Sequence, residues 1–231
     1  MPELILIPNS LHDEHYECIP EYVKHSIEGI NVFIFENPKP FRRLLVKLGF
    51  RDKINNAITI QMDKHNKDSA WWQQLDSLKT KNIGLVSDAG SPAIADPGSA
   101  LVSWAHSNNF KIKPLAGPNS IVLGLMGSGL NGQSFAFHGY LPIEDGKRKK
   151  MIIKLEAESK SSNQTKIFIE TPYRNDQLFK TLKNQLSNST KLCIASGLTS
   201  DGELILTKRV EEWKRSNHTI GKTPSIFLFL A

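Results

Sequence analysis

Short apolar runs recur along the first half of the chain: "LILI" (4–7), "NVFIF" (31–35), "AITI" (57–60), "IGLV" (83–86) and "FKIKPL" (110–115). Each is too short for a helix, and each is separated from the next by enough chain to form one. That alternation predicts strands in a parallel sheet joined by right-handed helical crossovers. After Leu115 the rhythm changes. The runs "SFAFHGY" (134–140), "KIFIE" (166–170), "KLCIA" (191–195) and "SIFLFL" (225–230) come with fewer intervening helices. "ELILTKRV" (203–210), directly before "EEW", predicts an antiparallel meander near the C-terminus. The change of rhythm places a boundary in 114–118 and divides the chain into residues 1–115 and 116–231. The expected class is α/β, with an N-terminal parallel sheet and a C-terminal mixed sheet. "ESKSSNQT" (158–165) reads as a polar loop.

Composition narrows the possibilities. At 231 residues and 39% hydrophobic content the chain can bury a packed core without staples. Its two cysteines, Cys18 and Cys193, lie in no CxxC and have no histidine at metal spacing, so neither a disulfide framework nor a zinc site is expected. A reducing cytoplasm fits that usage. "MPELILIPNS" lacks a basic leader region, and no run approaches the ~18 apolar residues of a membrane span, so the chain reads as soluble. Lys and Arg outnumber Asp and Glu by 29 to 23, a net charge of +6 that suits an anionic partner such as RNA or a nucleotide.

Four segments carry candidate chemistry. "GSGLNG" (127–132) matches a dinucleotide-binding fingerprint letter for letter. It follows the helical run "SIVLGLM" and precedes strand residues, whereas the fingerprint must follow a strand and open a helix, so it reads as a glycine-rich helix ending. "WW" (71–72) reads as the core and surface of a helix rather than a base-stacking platform. "GKRKK" (146–150) sets Lys147, Arg148, Lys149 and Lys150 side by side. They are candidate RNA phosphate contacts, with a solvated first helical turn as the competing reading. In "SDAGSPAIADPG" (87–98), glycines and prolines crowd a strand-to-helix crossover, the place where α/β proteins bind ligands. Gly90 lets backbone approach a ligand, and Asp88 or Asp96 could fix a ribose, an amino group or the loop itself.

That last segment resembles the ligand loop of the tetrapyrrole methylase superfamily. The resemblance is specifically to the ribosomal RNA branch, the 16S rRNA cytidine ribose 2′-O-methyltransferases, whose sequence there is similar to SDAGxPxxxDPG. It extends through "PLAGPNSIVLGLMGSGL" (114–130), "FAFHGYLP" (135–142) and "IFIETPYR" (167–174). The chain departs from the branch at three places: "IPNSLHD" (7–13) stands for a loop like TPIGN, "ENPKPFRR" (36–43) for Glu-Asp-Thr-Arg, and "ASGLTSDGE" (195–203) for Arg-Glu-x-Thr-Lys. The resemblance implies a two-domain methyltransferase, commonly a homodimer, with S-adenosylmethionine between the domains. It implies that Asp88, Ala89, Gly90, Ser91 and Ile94 hold the amino acid and ribose of the cofactor. Asn119 and Ser120 would present backbone, and Pro8 would border the methyl-transfer pocket. Phe168 through Glu170, Ala195, Ser196, Thr223, Pro224 and Ser225 would wall the adenine. For the apolar members plain core packing competes. No metal is implied.

Methyl transfer from a sulfonium asks the protein mainly to align donor and acceptor and to exclude water. A ribose hydroxyl would also gain from a base. Glu36, His12, Asp13, Asp88, His138 and Glu170 are candidates, each with a structural alternative. Asp13 and Asp88 could be caps, His138 a satisfied strand histidine, and Glu170 an anchor for Arg174. Besides ribosomal RNA methylation, two readings stand: a small-molecule methylase in the tetrapyrrole style, and a non-catalytic cofactor-binding protein.

Overall fold

Alternation within the first strand decides the architecture of the first half. Leu4 and Leu6 pack into one buried cluster, and Ile5 and Ile7 into another. The strand therefore needs cover on both faces, as parallel strands do. The computed structural model describes residues 1–62 and 70–231. It divides into two units, Met1–Asn119 and Ser120–Ala231.

In the first unit the order is β1 (Glu3–Ile7), α1 (Glu21–Glu28), β2 (Val32–Phe35), α2 (Pro38–Lys47), α3 (Lys53–Asn56), β3 (Ile58–Gln61), α4 (Ala70–Gln74), β4 (Ile83–Val86), α5 (Gly98–Ser107) and β5 (Lys111–Pro114). The sheet runs β3-β2-β4-β1-β5, with its pairings parallel. Val23 and Ile27 of α1 and Phe41, Leu44 and Leu45 of α2 bury one face together with Ile5, Phe33 and Phe35. Trp71 of α4 and Leu101 and Ala105 of α5 bury the other together with Leu4, Ile34 and Leu85. The connection from β1 goes toward β2 and that from β4 toward β5, so the two adjacent strands send their following segments in opposite directions. This is a switch point, where side chains and backbone from two loops converge at the strand carboxyl ends. Trp71 is buried and stacks on Trp72 at 4.0 Å between centroids, as a helix packing against a core requires.

The second unit runs α6 (Ser120–Ser128), β6 (Phe135–Tyr140), α7 (Asp145–Ser162), β7 (Thr165–Ile169), α8 (Asn175–Gln185), β8 (Lys191–Ser196), β9 (Leu204–Arg209), α9 (Val210–Lys214) and β10 (Ser225–Leu230). Its sheet is mixed, in the order β6-β7-β10-β8-β9. The antiparallel meander expected near the C-terminus extends no further than one pair of strands. β8 and β9 are antiparallel neighbours, but β10 pairs with β7 and β8 rather than with β9. The reason is burial: Phe227 and Phe229 enter the cluster under α7, α8 and α9, while Ile226 and Leu228 are buried on the opposite face. β9, with Lys208 and Arg209, is suited to an edge.

Two further boundaries differ from the sequence expectation. Residues 116–119 belong to the first unit, because the Ala116 N–H donates to the Tyr22 hydroxyl of α1 and Gly117 packs on Pro8. Residues 158–162 are helical rather than loop. Ser161 and Ser162 donate their hydroxyls to the Glu158 carbonyl one turn back, and buried Ser159 accepts from the Ala231 N–H at 3.0 Å. The segment 127–132 closes α6 at Ser128, with Gly129 left-handed at φ 66°, and leads into β6. Among the described residues no helix is long and apolar enough to cross a membrane.

Candidate functional site

The carboxyl ends of β1 and β4 are knitted into one unit by Asn9. Its N–H donates to the Gly90 carbonyl at 2.9 Å and its carbonyl accepts from the Gly90 N–H at 3.0 Å. Its side-chain Nδ2 donates to the Ser87 carbonyl at 3.0 Å, and its Oδ1 accepts from the Ser10 N–H at 2.9 Å. Asn9 is 1% exposed, so these groups have no water to turn to. The Asp88 carboxylate extends the same network sideways, accepting from the Asn37 N–H at 3.1 Å, while Asn37 caps α2 by accepting from the Lys39 N–H at 3.0 Å. Three loops are thereby fixed relative to one another.

The 88–98 loop carries backbone that ordinary residues avoid. Gly90 has φ 70°, and a Cβ there would lie 3.2 Å from Leu11 Cδ2 and 3.4 Å from the Pro118 carbonyl. Ala93 and Ala95 also have positive φ, 63° and 61°. Left-handed alanines cost roughly 1–2 kcal/mol each. Asp96 holds them, its Oδ1 accepting from the Ala93 N–H at 2.7 Å and the Gly98 N–H at 2.8 Å. Ile94, between the two alanines, is 47% exposed, and Ala89 is exposed beside the buried Gly90. Strain of this kind, sustained by a dedicated carboxylate, is characteristic of ligand loops. Next to it Gly117 comes so close to Pro8 that no side chain fits between them. The first unit thus brings together Pro8, Asp88, Ala89, Gly90 and Pro118, with Ser91, Ile94 and Asn119 on the same or adjoining segments.

Asn9→Ala removes both side-chain donations and leaves buried carbonyls of Ser87 and Asp88 without them. The expected loss is about 1–3 kcal/mol of stability, with a concerted loosening of the 9–10 and 87–90 segments. Thermal unfolding together with hydrogen exchange at Gly90 measures both; unchanged protection at Gly90 would contradict the role.

In the second unit, Ser196 and Ser225 meet at 2.8 Å between hydroxyls, the Gly197 N–H donates to the Pro224 carbonyl at 3.0 Å, and the Thr223 carbonyl accepts from buried Asn175 at 2.7 Å. Register sets Ser225 opposite Ser196, and the Ile226–Ile169 pairing places Glu170 at the same end of the sheet. Glu170 is 7% exposed and accepts from Arg174 Nη2 at 2.5 Å and Nε at 3.0 Å, the anchoring arrangement weighed from the sequence. The Phe168 ring is fully buried, stacked on Phe227 with centroids 6.0 Å apart, so this residue offers a ligand backbone only. Ala195 lies on the opposite face and is buried near Gly124 of α6, and Ser120 opens that helix.

The remaining candidates scatter. Asp13 pairs with Arg43. His12 lies 5.1 Å from the His15 ring between centroids, and Glu36 is buried at the end of β2. His138 Nε2 is buried without a hydrogen bond, and burial, reinforced by the Lys166 charge, lowers its pKa, which favours the neutral ring. In the 147–150 run only part of the charge faces outward. Arg148 is 3% exposed, with Nη1 donating to the Ile143 carbonyl at 2.9 Å and Nη2 to Asp145 at 2.7 Å. Lys147 pairs with Glu144 at 2.8 Å and Lys149 with Asp145 at 2.7 Å, while Lys150 is exposed.

Sequence reasoning missed Asn9, Asn37 and Tyr22. An Asn directly before Pro38 at a helix start is a recognisable cap signal. Asn9 and Tyr22 act through contacts distant in sequence and carry no local signature.

Fold and loops together define an α/β protein whose strained 88–98 loop lies at the switch point of a parallel sheet. Over 180 residues the chain is 29% identical to the ribosomal RNA small subunit methyltransferase I of Vibrio cholerae, a stretch covering 78% of this chain and 59% of that protein. Over 206 residues it is 30% identical to the protein of the same name from Buchnera aphidicola subsp. Schizaphis graminum, covering 87% and 67%. The chain spans 54% to 59% of the length of several such relatives. No family model matches it. Among solved structures, a diphthine synthase superposes with a TM-score of 0.65 at 12% identity, covering all of this chain and 90% of that one. A uroporphyrin-III C-methyltransferase from Thermus thermophilus complexed with S-adenosylhomocysteine gives 0.52 at 12% identity, covering 99% and 97%. The chain belongs to the family of the ribosomal RNA small subunit methyltransferase I proteins.

Proposed function

We propose that the chain is an S-adenosylmethionine-dependent methyltransferase that methylates a ribose 2′-hydroxyl of ribosomal RNA, working as a homodimer in the cytoplasm. The observation that carries this reading is the Gly90 loop: a buried glycine at φ 70°, bridged to Asn9, beside two left-handed alanines fixed by Asp96. Such a loop presents main-chain groups at close range, which suits an amino-acid and ribose moiety with few side chains to spare. Pro8 and Gly117 form a rigid neighbouring wall. The residues present therefore fit the cofactor's polar half. Asp88, Ala89, Gly90, Ser91, Ile94, Asn119 and Ser120 would hold it, and Glu170, Ala195, Ser196, Thr223, Pro224 and Ser225, with the Phe168 backbone, would border its base.

When bound, S-adenosylmethionine supplies a methyl group on a positively charged sulfur. The chain's part is to orient and to exclude water, which for an in-line displacement provides most of the acceleration. The hydrogen bonds that Asn9 makes and that the Asp88 carboxylate accepts hold the surrounding loops in one geometry before any ligand arrives, so little ordering is left for the binding step. Support for a homodimer comes from apolar surface on the second unit: Met126 is 74% exposed, and Phe135 and Tyr140 of β6 are exposed as well. Lys147, Lys149 and Lys150 would add cationic surface for RNA.

Titration calorimetry with S-adenosylmethionine and S-adenosylhomocysteine tests the cofactor assignment; absence of heat with both at millimolar concentration would overturn it. Tritiated methyl transfer to deproteinised small-subunit ribosomal RNA, compared with transfer to a tetrapyrrole, tests the substrate. The second reading, a small-molecule methylase, is favoured by Glu36-Asn37-Pro38-Lys39 at the end of β2, where the RNA branch carries Glu-Asp-Thr-Arg. Transfer to the tetrapyrrole alone would select it. Binding without transfer to either would leave a cofactor-binding protein.

A further inference from the structure

Residues 37–51, "NPKPFRRLLVKLGFR", contain five cations and no carboxylate. Ten of these residues form α2, and the helix sorts them strictly. Phe41, Leu44 and Leu45 are buried against the sheet, while Lys39, Arg42 and Lys47 are exposed. At 100° per residue, Lys39, Arg42, Arg43 and Lys47 fall within an arc of roughly 140°, so they form one stripe on the outer face. Arg43 is half-buried and paired with Asp13. Among the described residues no ion pair reaches Lys39, Arg42 or Lys47.

Helix stability accounts for Lys47, which lies in the last turn, but not for Lys39 and Arg42. A first turn favours acids, and this one has none. Lys39 and Arg43 stand four residues apart, as do Arg43 and Lys47, spacings at which like charges repel. A sequence selected only for a soluble surface would intersperse signs. The stripe also starts in a particular place. The cap of α2 is Asn37, whose N–H is held by Asp88 at the head of the strained loop. The unpaired cations thus run outward from the proposed ligand site itself.

We propose that the outer face of α2, through Lys39, Arg42 and Lys47, is the principal phosphate-contacting surface for the RNA strand that enters this site. The inference rests on the RNA methyltransferase reading. Charge complementarity identifies the occupant. Three unneutralised cations in a row fit a polyanion tracked along its backbone. A lipid surface would need bulky apolar residues on the same face, and there Val46 is the one exposed apolar side chain among α2's residues. The 147–150 run is more conspicuous in the sequence, but Glu144 and Asp145 already neutralise part of its charge and Arg148 is buried.

The test compares two triple variants of the full chain, Lys39→Gln/Arg42→Gln/Lys47→Gln and Lys147→Gln/Lys149→Gln/Lys150→Gln. Binding to deproteinised small-subunit ribosomal RNA is followed from 50 to 200 mM salt. Each lost contact to a single strand removes about 0.7 from the slope of log affinity against log salt, so the α2 variant should flatten the slope by about 2 and the other by less than about 1. Over this fourfold salt range a flattening of about 2 makes the α2 variant's change in affinity roughly twentyfold smaller than the parent's. Melting temperature and S-adenosylhomocysteine affinity should match the parent chain. A slope unchanged in the α2 variant, with folding intact, overturns the proposal, as does an equal loss of binding to vesicles of anionic phospholipid. Failure of the parent chain to bind S-adenosylhomocysteine would instead overturn the methyltransferase reading, and the salt slope would still report on the surface.

Discussion

Gly90→Val is expected to reduce S-adenosylhomocysteine affinity by about a hundredfold or more, close to 2.7 kcal/mol, while the chain stays folded. Two costs converge at this residue. A β-branched side chain must enter the left-handed region at φ 70°, where even alanine costs roughly 1–2 kcal/mol. Its first carbon would also press on Leu11 Cδ2 at 3.2 Å and the Pro118 carbonyl at 3.4 Å. Relief requires the loop to move, which breaks the paired bonds between Gly90 and Asn9. The buried clusters on both faces of the sheet lie elsewhere, so the damage stays local. Calorimetric titration beside thermal unfolding separates the two effects. A folded variant with the parent's affinity would reduce the loop to a turn.

Trp213→Ala should produce the largest loss of stability, about 3–5 kcal/mol, out of a total that for folded domains is 5–15 kcal/mol. Trp213 is fully buried in the second unit's cluster. Its indole donates to the Leu192 carbonyl at 2.8 Å, and its ring meets Phe179 edge-on with centroids 5.2 Å apart. Lys208 lies over the ring at 5.1 Å. Trp213→Phe keeps an aromatic partner for Phe179 and loses the indole bond, so about 1–2 kcal/mol is expected. Denaturant midpoints rank the two; equal losses would show that the ring's volume contributes little.

The parts of the fold that were legible are those where burial repeats locally. In the first sheet β1, β2 and β4 stand out because these inner parallel strands are apolar and buried on both faces, and the crossover loop stands out because its glycines and prolines cluster. What was not legible depends on partners far away in the chain. "SIFLFL" announces a buried strand but cannot say which neighbours it joins, and its place between β7 and β8 has no signal in the sequence. "ESKSS" is polar enough for a loop, yet it completes the last turn of α7, where buried Ser159 accepts from the Ala231 N–H 72 positions away. The 88–98 loop proposed as the site is legible through its composition. Asn9, which locks it, is a single polar residue whose partners lie 78 and 79 positions away. Phe168 shows the converse: position in a matching segment suggested a ligand wall, and the ring packs into the core instead.

The position of β10 has a consequence for how the chain is made. Synthesis delivers residues 225–230 after every other strand, yet that strand occupies the middle of its sheet, with β7 on one side and β8 on the other. Until it emerges, β6–β7 and β8–β9 are two separate ribbons, each presenting an open edge and an uncovered apolar face. The first sheet suffers no such delay, because its last strand, β5, merely adds beside β1. On the ribosome, then, residues 1–119 can reach their final pairing while the rest waits for a closing wedge. A ribosome stalled before residue 225 would leave the second unit as two half-assembled strand pairs, one parallel and one antiparallel, for chaperones and proteases to handle.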